Sequence, residues 1–375
     1  MPALTKAQKK QAQAAEDSFH RTYAAQFGEE RWQQSLYPAL AAPTRYAALT
    51  NRFATPDLAR LFPPEEAARL QAIVFPGDQD PSAAKPLISY QWDVSEVGAT
   101  FPPPQREPSN RFMTHWNLDA ASLLAVRMLD PKPGDKILDL CAAPGGKSIA
   151  LSQFLRPADY DSSSPTLRGA CLHSNEVDKG RRKRLYANLL SYLPEALFDS
   201  GEMTALNLDG TDPGSAYTLP LGAGGYDKVL LDAPCSSERH VIHAHVAAKQ
   251  GGRVAAEMTS WRSGQSKKMA KIQARLLMTA LEAVRVGGRV LYATCSLSND
   301  ENDGVIEKGM ELAQKDRKKY STGWDFSVRS ADLARVGGFE GWAEPTKHGW
   351  LVLPDLPSGG KWGPLFFALL EKIEA

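Results

Sequence analysis

A doubly wound, mostly parallel α/β sheet behind a mainly helical N-terminal region is the architecture this 375-residue sequence predicts. Three observations carry that reading. From about Asn117 onward, short apolar runs alternate with amphipathic stretches, the signature of parallel strands joined by crossover helices. The first of those runs ends in a small-residue turn, "ILDLCAAPGGKS", that opens a helix. Two later runs each end in a cysteine, Cys235 in "DKVLLDAPCSSERH" and Cys295 in "GGRVLYATCSLSNDEN". Strand ends are where open α/β sheets place their chemistry.

Residues 1–115 are rich in Ala, Gln and Pro, and stretches such as Asp57 to Ile73 predict helix. "FPPPQREPSN", Phe101 to Asn110, reads as an extended connector, because proline fixes its own φ and disfavours helix at the residue before it. We therefore divide the chain into an N-terminal region, 1–115, and an α/β domain, 116–375. In the second, "LDAASLLAVRML" is an apolar helix, Pro131 to Asp135 a turn, and Lys136 to Leu140 the first strand. Further strands are expected at Ala170 to Ser174, Met203 to Leu208, Lys228 to Asp232 and Arg289 to Thr294. Before the last of these, Ile272, Leu276, Leu277, Ala280, Leu281 and Val284 fall on one helical stripe, and Gly287 and Gly288 end the helix. "GWLVLPD" and "GPLFFALLEK" read as a closing antiparallel hairpin at the sheet edge. Two polar stretches, 156–168 and 246–264, read as insertions.

Composition bounds the function. With 43% hydrophobic and 23% charged residues and no apolar run near the roughly 20 residues of a membrane span, the chain reads as a globular protein with no membrane role. A net charge of +1 gives no global argument for nucleic acid, so any such role rests on local clusters. Four cysteines without CxxC spacing point to free thiols in a reducing compartment. There is no secretory apolar segment. The first 15 residues carry Lys6, Lys9 and Lys10 and no acid, which is compatible with a mitochondrial presequence.

In "LDLCAAPGGKS", a strand, a small-residue turn and a helix let a backbone approach a nucleotide-like ligand, with Gly145 and Gly146 removing obstructing Cβ atoms. A purely structural turn has the same composition. It is not a P-loop, whose first glycine would fall at Cys141, nor GxGxxG. The next strand ends in "SNEVDKGRR", where Glu176 is placed to take a ribose diol, with Asp178 as competitor. The third ends in Asp209-Gly210, where a short acid and a glycine can meet an adenine edge. Together these describe adenosine bound across three strand tips. In "LLDAPCSS", Asp232 ends the fourth strand and Pro234 fixes the turn that presents Cys235. Cys171 reads as core filling and Cys141 as core or site. Cys235 and Cys295, each followed by serine at a strand end, read as reactive thiols. His240, His243 and His245 have ligand spacing, but no Cys or acid cluster completes a set, so they read as a surface loop and no metal is expected. Arg181-Arg182-Lys183-Arg184 and Lys267, Lys268, Lys271, Arg275 are basic helix starts that could meet phosphates.

"DLCAAPGGKS", "DAPCSS" and "ATCSLS", in this order and spacing, resemble the RsmB/Nop/Sun family of S-adenosylmethionine-dependent RNA 5-methylcytosine methyltransferases. The resemblance covers about Asn117 to the C-terminus. "YAAQFGEERWQQSLYPAL" and "WGPLFFALLEK" are most similar to the mitochondrial ribosomal-RNA member, which lacks an appended RNA-binding domain of the PUA type. The resemblance implies a seven-stranded Rossmann-like methyltransferase sheet. It implies that Cys141, Ala142, Ala143, Pro144, Gly145, Gly146, Lys147, Glu176, Arg181, Asp209, Gly210 and Asp232 line the cofactor site. Cys295 would be the nucleophile and Cys235 the second catalytic cysteine, with Asp232 and Lys147 beside them. This chain departs from that member in the insertion after Gln153, in glutamate rather than aspartate at Glu176, and in the segment after His240.

The chemistry explains a need for two thiols. C5 of cytosine is a poor nucleophile until a thiolate adds at C6, and a second group must then remove the C5 proton. The base must leave its stack, which favours a structured RNA with a loop or melted helix. Ribosomal RNA is the expected substrate, with transfer RNA as the alternative and a protein partner aiding RNA binding. An amino-group methyltransferase would need an NPPY-type clamp that "DAPC" lacks, and a small-molecule methyltransferase has no use for the second cysteine. A non-catalytic RNA-binding assembly factor would have no need of both thiols and the cofactor acids.

Overall fold

The computed structural model describes residues 6–54, 62, 64–78, 87–93, 100–157, 161, 166–320, 322–336, 338–356 and 360–375. The N-terminal region opens with a long helix, Lys6–Phe27, and further helical turns to Ala41. Four strands follow, β1 (Ala47–Thr50), β2 (Leu70–Ala72), β3 (Ser89–Trp92) and β4 (His115–Leu118), forming an antiparallel sheet in the order β2-β3-β1-β4. This sheet was not foreseen. Where helix is predicted up to Ile73, the described residues hold only a short helix, Pro64–Ala67, and then β2; Asp57 lies outside them. Pairing of β2 with β3 overrides a weak local helix preference.

The second sheet is the predicted doubly wound one. Its strands are β5 (Lys136–Asp139), β6 (Cys171–Asn175), β7 (Met203–Leu206), β8 (Tyr226–Asp232), β9 (Val284–Thr294), β10 (Trp324–Val328), β11 (Glu344–Pro345), β12 (Trp350–Val352) and β13 (Leu365–Glu374). The order is β11-β12-β13-β9-β8-β5-β6-β7, with β10 paired to β13. Strands β5 to β9 are mutually parallel, and the closing hairpin of β12 and β13 adds to β9 antiparallel. Seven strands, β7 to β12 in that order, form the expected sheet, and the short β11 and the edge strand β10 extend it to nine among the described residues.

Helices on both faces bury these strands, so they read as continuous apolar runs. Ile137, Leu138, Val229, Leu230, Val290 and Leu291 are fully buried. Helices Ala120–Leu129, Gly146–Leu155 and Lys179–Tyr192 share one core, and helices Gln265–Ala283 and Asp303–Tyr320 share the other. Asp119 caps the first of these helices, its Oδ1 accepting the Ala121 N–H at 2.8 Å. The helix Gln265–Ala283 does not wait for Gly287 and Gly288. It passes directly into β9, and the glycines form an irregularity where the register with β8 shifts. There Gly287 has φ +73°, and a Cβ on Gly288 would lie 2.7 Å from the Asp227 carbonyl oxygen. Ile272 is also not core: it is 40% exposed and turns toward a cavity.

The polar stretch 246–264 is built into the core rather than looped out. It ends the helix Glu238–Gln250, forms a short helix, Ala256–Ser260, and buries Met258 and Trp261. Trp261 packs edge-on against Phe19 of the N-terminal helix, ring centroids 5.1 Å apart, and beside Tyr23. Of the stretch 156–168, residues 158–160 and 162–165 lie outside the described residues. Arg31 adds a polar tie, donating to Glu344 at 2.6 Å and Asp355 at 2.8 Å. The N-terminal helix therefore shares a core with the sheet. Replacing Trp261 with Ala should cost about 3 kcal/mol or more in denaturant unfolding, the usual loss for a buried tryptophan; a loss below about 1 kcal/mol would show that this contact does not hold the helix.

Candidate active site

Reversal of strand order at β5 opens a crevice at the carboxyl ends of the parallel strands. A cavity of about 490 Å³ fills it, within the range for small-molecule sites. Its wall takes Cys141 and Lys147 after β5, Glu176 after β6, Asp209 and Gly210 after β7, Asp232 and Cys235 at the end of β8, and Cys295 after β9. Register explains the last meeting: Asp232 pairs with Ala293, so the residues three and two positions beyond them emerge side by side. Cys235 Sγ and Cys295 Sγ are 2.8 Å apart, and both thiols are free.

The pair is asymmetric. Either sulfur can be the donor; with Cys235 donating, this hydrogen bond is the main reason the Cys295 thiol titrates below the ordinary range, with Ser237, whose Oγ is 3.5 Å away, adding to it against the opposing effect of burial. The same bond, with burial and the neighbouring charge of Cys295, pushes Cys235 well up. One thiolate and one thiol is the resting state this favours. Lys147 Nζ donates to Asp232 Oδ2 at 2.7 Å, part-buried beside them. Burial opposes the charge on Lys147, but Asp232 outweighs it and the pKa rises, so Lys147 is a cation in the site. Asp139 is fully buried under the loop, accepts from Ser148 at 2.6 Å, and burial pushes it up to about 7.

The predicted cofactor residues do not all reach the cavity, and Gly145 lines neither it nor its neighbour. Cys141, Ala143, Lys147, Glu176, Arg181, Asp209, Gly210 and Asp232 line the cavity. Ala142, Pro144 and Gly146 instead line a neighbouring cavity of about 280 Å³ on the far side of the loop, shared with Tyr46, Trp116, Lys147 and Asp232. The two glycines also make room for packing. A Cβ on Gly145, at φ +118°, would lie 3.2 Å from Leu185 Cδ1, and one on Gly146 would lie 2.6 Å from the Trp116 indole nitrogen. Glu176 is buried, with Arg181 at 3.3 Å, whereas Asp209 is exposed and held by Thr211. Asp178, the competitor for the ribose, caps the helix Lys179–Tyr192 by accepting the Arg181 N–H. Cys171 opens β6, at the opposite end of the sheet from the crevice.

The histidines are not a surface loop. All three lie on the helix Glu238–Gln250; His243 Nε2 meets the Leu40 and Ala42 carbonyls, and His245 is buried 3.2 Å from Glu16. Of the basic helix starts, Arg181 reaches Glu176 and the Ala143 carbonyl while staying exposed, and Lys183, Arg184, Lys267, Lys268, Lys271 and Arg275 are exposed as well.

Two carboxylates went unread in the sequence, Glu238 and Glu301, both fully buried behind the thiols. Glu238 accepts the Leu297 N–H at 2.9 Å and the Tyr23 hydroxyl at 2.8 Å. Glu301 accepts the Ser236 N–H at 3.0 Å and the Gln273 amide at 2.9 Å. The signal available was an acid close behind each cysteine, in "CSSER" and "CSLSNDE".

A cavity of this size, with a buried acid and an exposed acid at adjacent strand tips, fits an adenosyl cofactor. Residues 126–331 match the family described as 16S rRNA methyltransferase RsmB/F. The 5-cytosine rRNA methyltransferase NSUN4 of Xenopus tropicalis is 35% identical over 273 residues, which is 72% of this chain and only 60% of that protein. NSUN4 of Bos taurus is 31% identical over 93% of this chain and 86% of its own length. The mitochondrial tRNA (cytosine(34)-C(5))-methyltransferase of Mus musculus is 32% identical over 95% and 89%. NSun6 of Pyrococcus horikoshii, solved with the S-adenosylmethionine analogue SFG, shares the fold, with a TM-score of 0.59, 16% identity, and coverage of 96% of this chain and 98% of that one. The chain belongs to the 16S rRNA methyltransferase RsmB/F family.

Proposed function

We propose that this protein methylates C5 of a cytosine in ribosomal RNA, with Cys295 as nucleophile and Cys235 as the base that frees the product. As a family member it is an RNA 5-cytosine methyltransferase, and its cofactor is S-adenosylmethionine. The observation that carries the reading is the pair of free thiols 2.8 Å apart at the edge of the cofactor cavity, and the opposite directions in which the two titrate support the division of roles.

Bound in that cavity, the cofactor supplies an electrophilic methyl group. Cys295 thiolate adds to C6 of the extruded base, and its electron pair moves into the ring toward C5. The Lys147 ammonium stabilises that negative charge, and Asp232 accepts from the exocyclic amine. C5 then takes the methyl group. Cys295 is now a neutral thioether, so both the hydrogen bond and the charge that held Cys235 protonated are gone. Cys235 releases its proton to solvent and, as thiolate, takes the proton from C5. The C5–C6 double bond re-forms, the C6–S bond breaks, and Cys295 departs as thiolate. One proton is released per turnover, as methyl transfer from a sulfonium requires.

Exposed lysines and arginines at the two helix starts flanking the cavity support an RNA footprint, with residues 1–115 as its other side. Tyr46, at the entry to β1, supports this, because it lines both smaller cavities that open beside Cys295 and Lys147. Near-zero net charge supports a protein partner that supplies further RNA surface. A mitochondrial location is supported by relatives named as mitochondrial.

Four measurements test this reading. Labelled methyl groups should appear at cytosine C5 of ribosomal RNA transcripts and far less in transfer RNA; the reverse would select the transfer RNA reading. Cys295→Ala should abolish both methylation and any covalent RNA adduct, whereas Cys235→Ala should leave an adduct stable to denaturing electrophoresis, and an adduct in Cys295→Ala alone would reverse the roles. Alkylation of Cys295, followed by mass spectrometry across pH, should show a midpoint below that of an ordinary thiol. In Cys235→Ala that midpoint should move up, because the donor that lowers it most is lost; an unmoved midpoint refutes the asymmetry. Calorimetry should show Glu176→Ala weakening cofactor binding by about 1 to 3 kcal/mol, and exposed Asp209→Ala by less. Equal affinity in Glu176→Ala and wild type would remove Glu176 from the site.

A further inference from the structure

We propose that Glu238 and Glu301 form a reciprocal brace that sets the separation of the two thiols, and that Tyr23 of the N-terminal helix holds it in place. Glu238 follows Cys235 by three residues but reaches across to the other loop. It accepts from the Leu297 N–H at 2.9 Å and from Ser296 Oγ at 3.4 Å, directly behind Cys295. Glu301 follows Cys295 by six residues and reaches the opposite way, accepting from the Ser236 N–H at 3.0 Å, directly behind Cys235. Each thiol-bearing loop is thus fastened by a carboxylate from the other. Ser236 Oγ donates to Glu238, and Ser296 Oγ, 3.0 Å from Ser236 Oγ, shares its one proton between that oxygen and Glu238, which joins the two at the centre. Gln273, on the helix Gln265–Ala283, donates to both Glu301 at 2.9 Å and the Pro234 carbonyl at 2.8 Å, holding the Cys235 loop from below.

Two side chains from the N-terminal helix complete the arrangement across more than 200 residues of sequence. Tyr23 hydroxyl donates to Glu238 at 2.8 Å, and Gln26 donates to the Leu297 carbonyl at 2.6 Å. Tyr23 is 1% exposed and both carboxylates are fully buried, so these groups cannot touch RNA or the adenosyl cavity directly. They are positioning residues. Buried carboxylates carry a large desolvation cost, and here donors offset it only in part, since both bonds to Glu301 fall on Oε2 and its buried Oε1 has no partner. Spending two of them to join two loops is reasonable only if the loops must be held to tenths of an ångström, as proton transfer between neighbouring thiols and one base requires.

The inference rests on the roles given to Cys295 and Cys235, and it makes a separate statement: the brace serves the release step more than the attack. A single loose thiol can still find C6, but taking the C5 proton needs the second thiol at a fixed distance from the first. In Glu238→Gln and Glu301→Gln, turnover of RNA should fall about 10- to 100-fold with KM for RNA and cofactor within about twofold. The adduct that wild type does not retain should accumulate on denaturing gels, as in Cys235→Ala. Tyr23→Phe should show the same pattern more weakly. Unchanged cofactor affinity by calorimetry establishes that each variant is folded, and should Glu238→Gln fail that criterion, Tyr23→Phe carries the test. An adduct in Cys235→Ala with none in any brace variant, turnover and adduct falling together, would overturn the brace alone. Absence of an adduct in Cys235→Ala would overturn the role of Cys235 and the brace with it. Wild-type turnover in all three brace variants would also overturn it.

Discussion

Everything at the active site depends on two neighbouring parallel strands ending in step. Asp232 of β8 pairs with Ala293 of β9, and this register delivers Cys235 and Cys295 to the same point above the sheet, 2.8 Å apart. A slip of one residue would turn every side chain of β9 to the opposite face, burying polar groups and carrying the thiol away. The fully buried Val229, Leu230, Val290 and Leu291 make such a slip prohibitively costly. Stability of the core and geometry of the chemistry are therefore one constraint. The same strand ends carry Asp232, and the helix after β5 brings Lys147 to it, so the charge that the proposed mechanism uses to stabilise addition sits in the crevice between β5 and β8.

That geometry sets an electrostatic conflict. Glu238, Glu301 and Asp232 all lie close enough to disfavour a second negative charge, and Asp232 and Glu238 each act to raise the pKa of Cys295. A carboxylate a few ångströms away in a partly dry site is worth several kcal/mol of repulsion unless offset. The hydrogen bond from Cys235 and the approach of Ser237 reverse the sign, and Cys295 ends below the ordinary thiol range. In the proposed mechanism Cys235 thus acts on the nucleophile before it acts on the product: its proton would stabilise the attacking thiolate, and the loss of that thiolate to carbon would release the proton.

Much of this was legible in the sequence because it is local. Strand β5 and its turn, the acids at the tips of β6 and β7, and both cysteine loops are short contiguous signals whose chemistry follows from residue type and position. What was not legible depends on distant partners. The small antiparallel sheet of β1 to β4 draws its strands from separate short segments, none of them long enough to carry a clear two-residue period. Ile272 fits the apolar stripe of its helix perfectly well by spacing, yet the stripe there faces a ligand cavity rather than core. Gly145 and Gly146 suggest room for a ligand, and what their spacing could not show is that the missing Cβ atoms also make room for Leu185 and Trp116. The histidines suggest a loop, but the segment is helical and anchors Leu40, Ala42 and Glu16.

The N-terminal helix is the part whose role changes most between sequence and structure. As sequence it is an Ala- and Gln-rich stretch with little to separate it from a leader or a solvated arm. In the fold, Phe19 and Tyr23 enter the same core as Tyr292 and Val290 of β9, and Trp261 from the stretch 246–264 closes over them. Tyr23 then passes that packing into chemistry, because its hydroxyl ends on Glu238, one hydrogen bond from the loop that carries Cys295. A contact that looks like ordinary burial is in this way coupled to the distance between two sulfur atoms. Loosening the helix should therefore disturb catalysis before it unfolds the sheet, since the opposite face of β5 to β9 keeps its core with the helices Ala120–Leu129, Gly146–Leu155 and Lys179–Tyr192 while the brace loses its outer anchor.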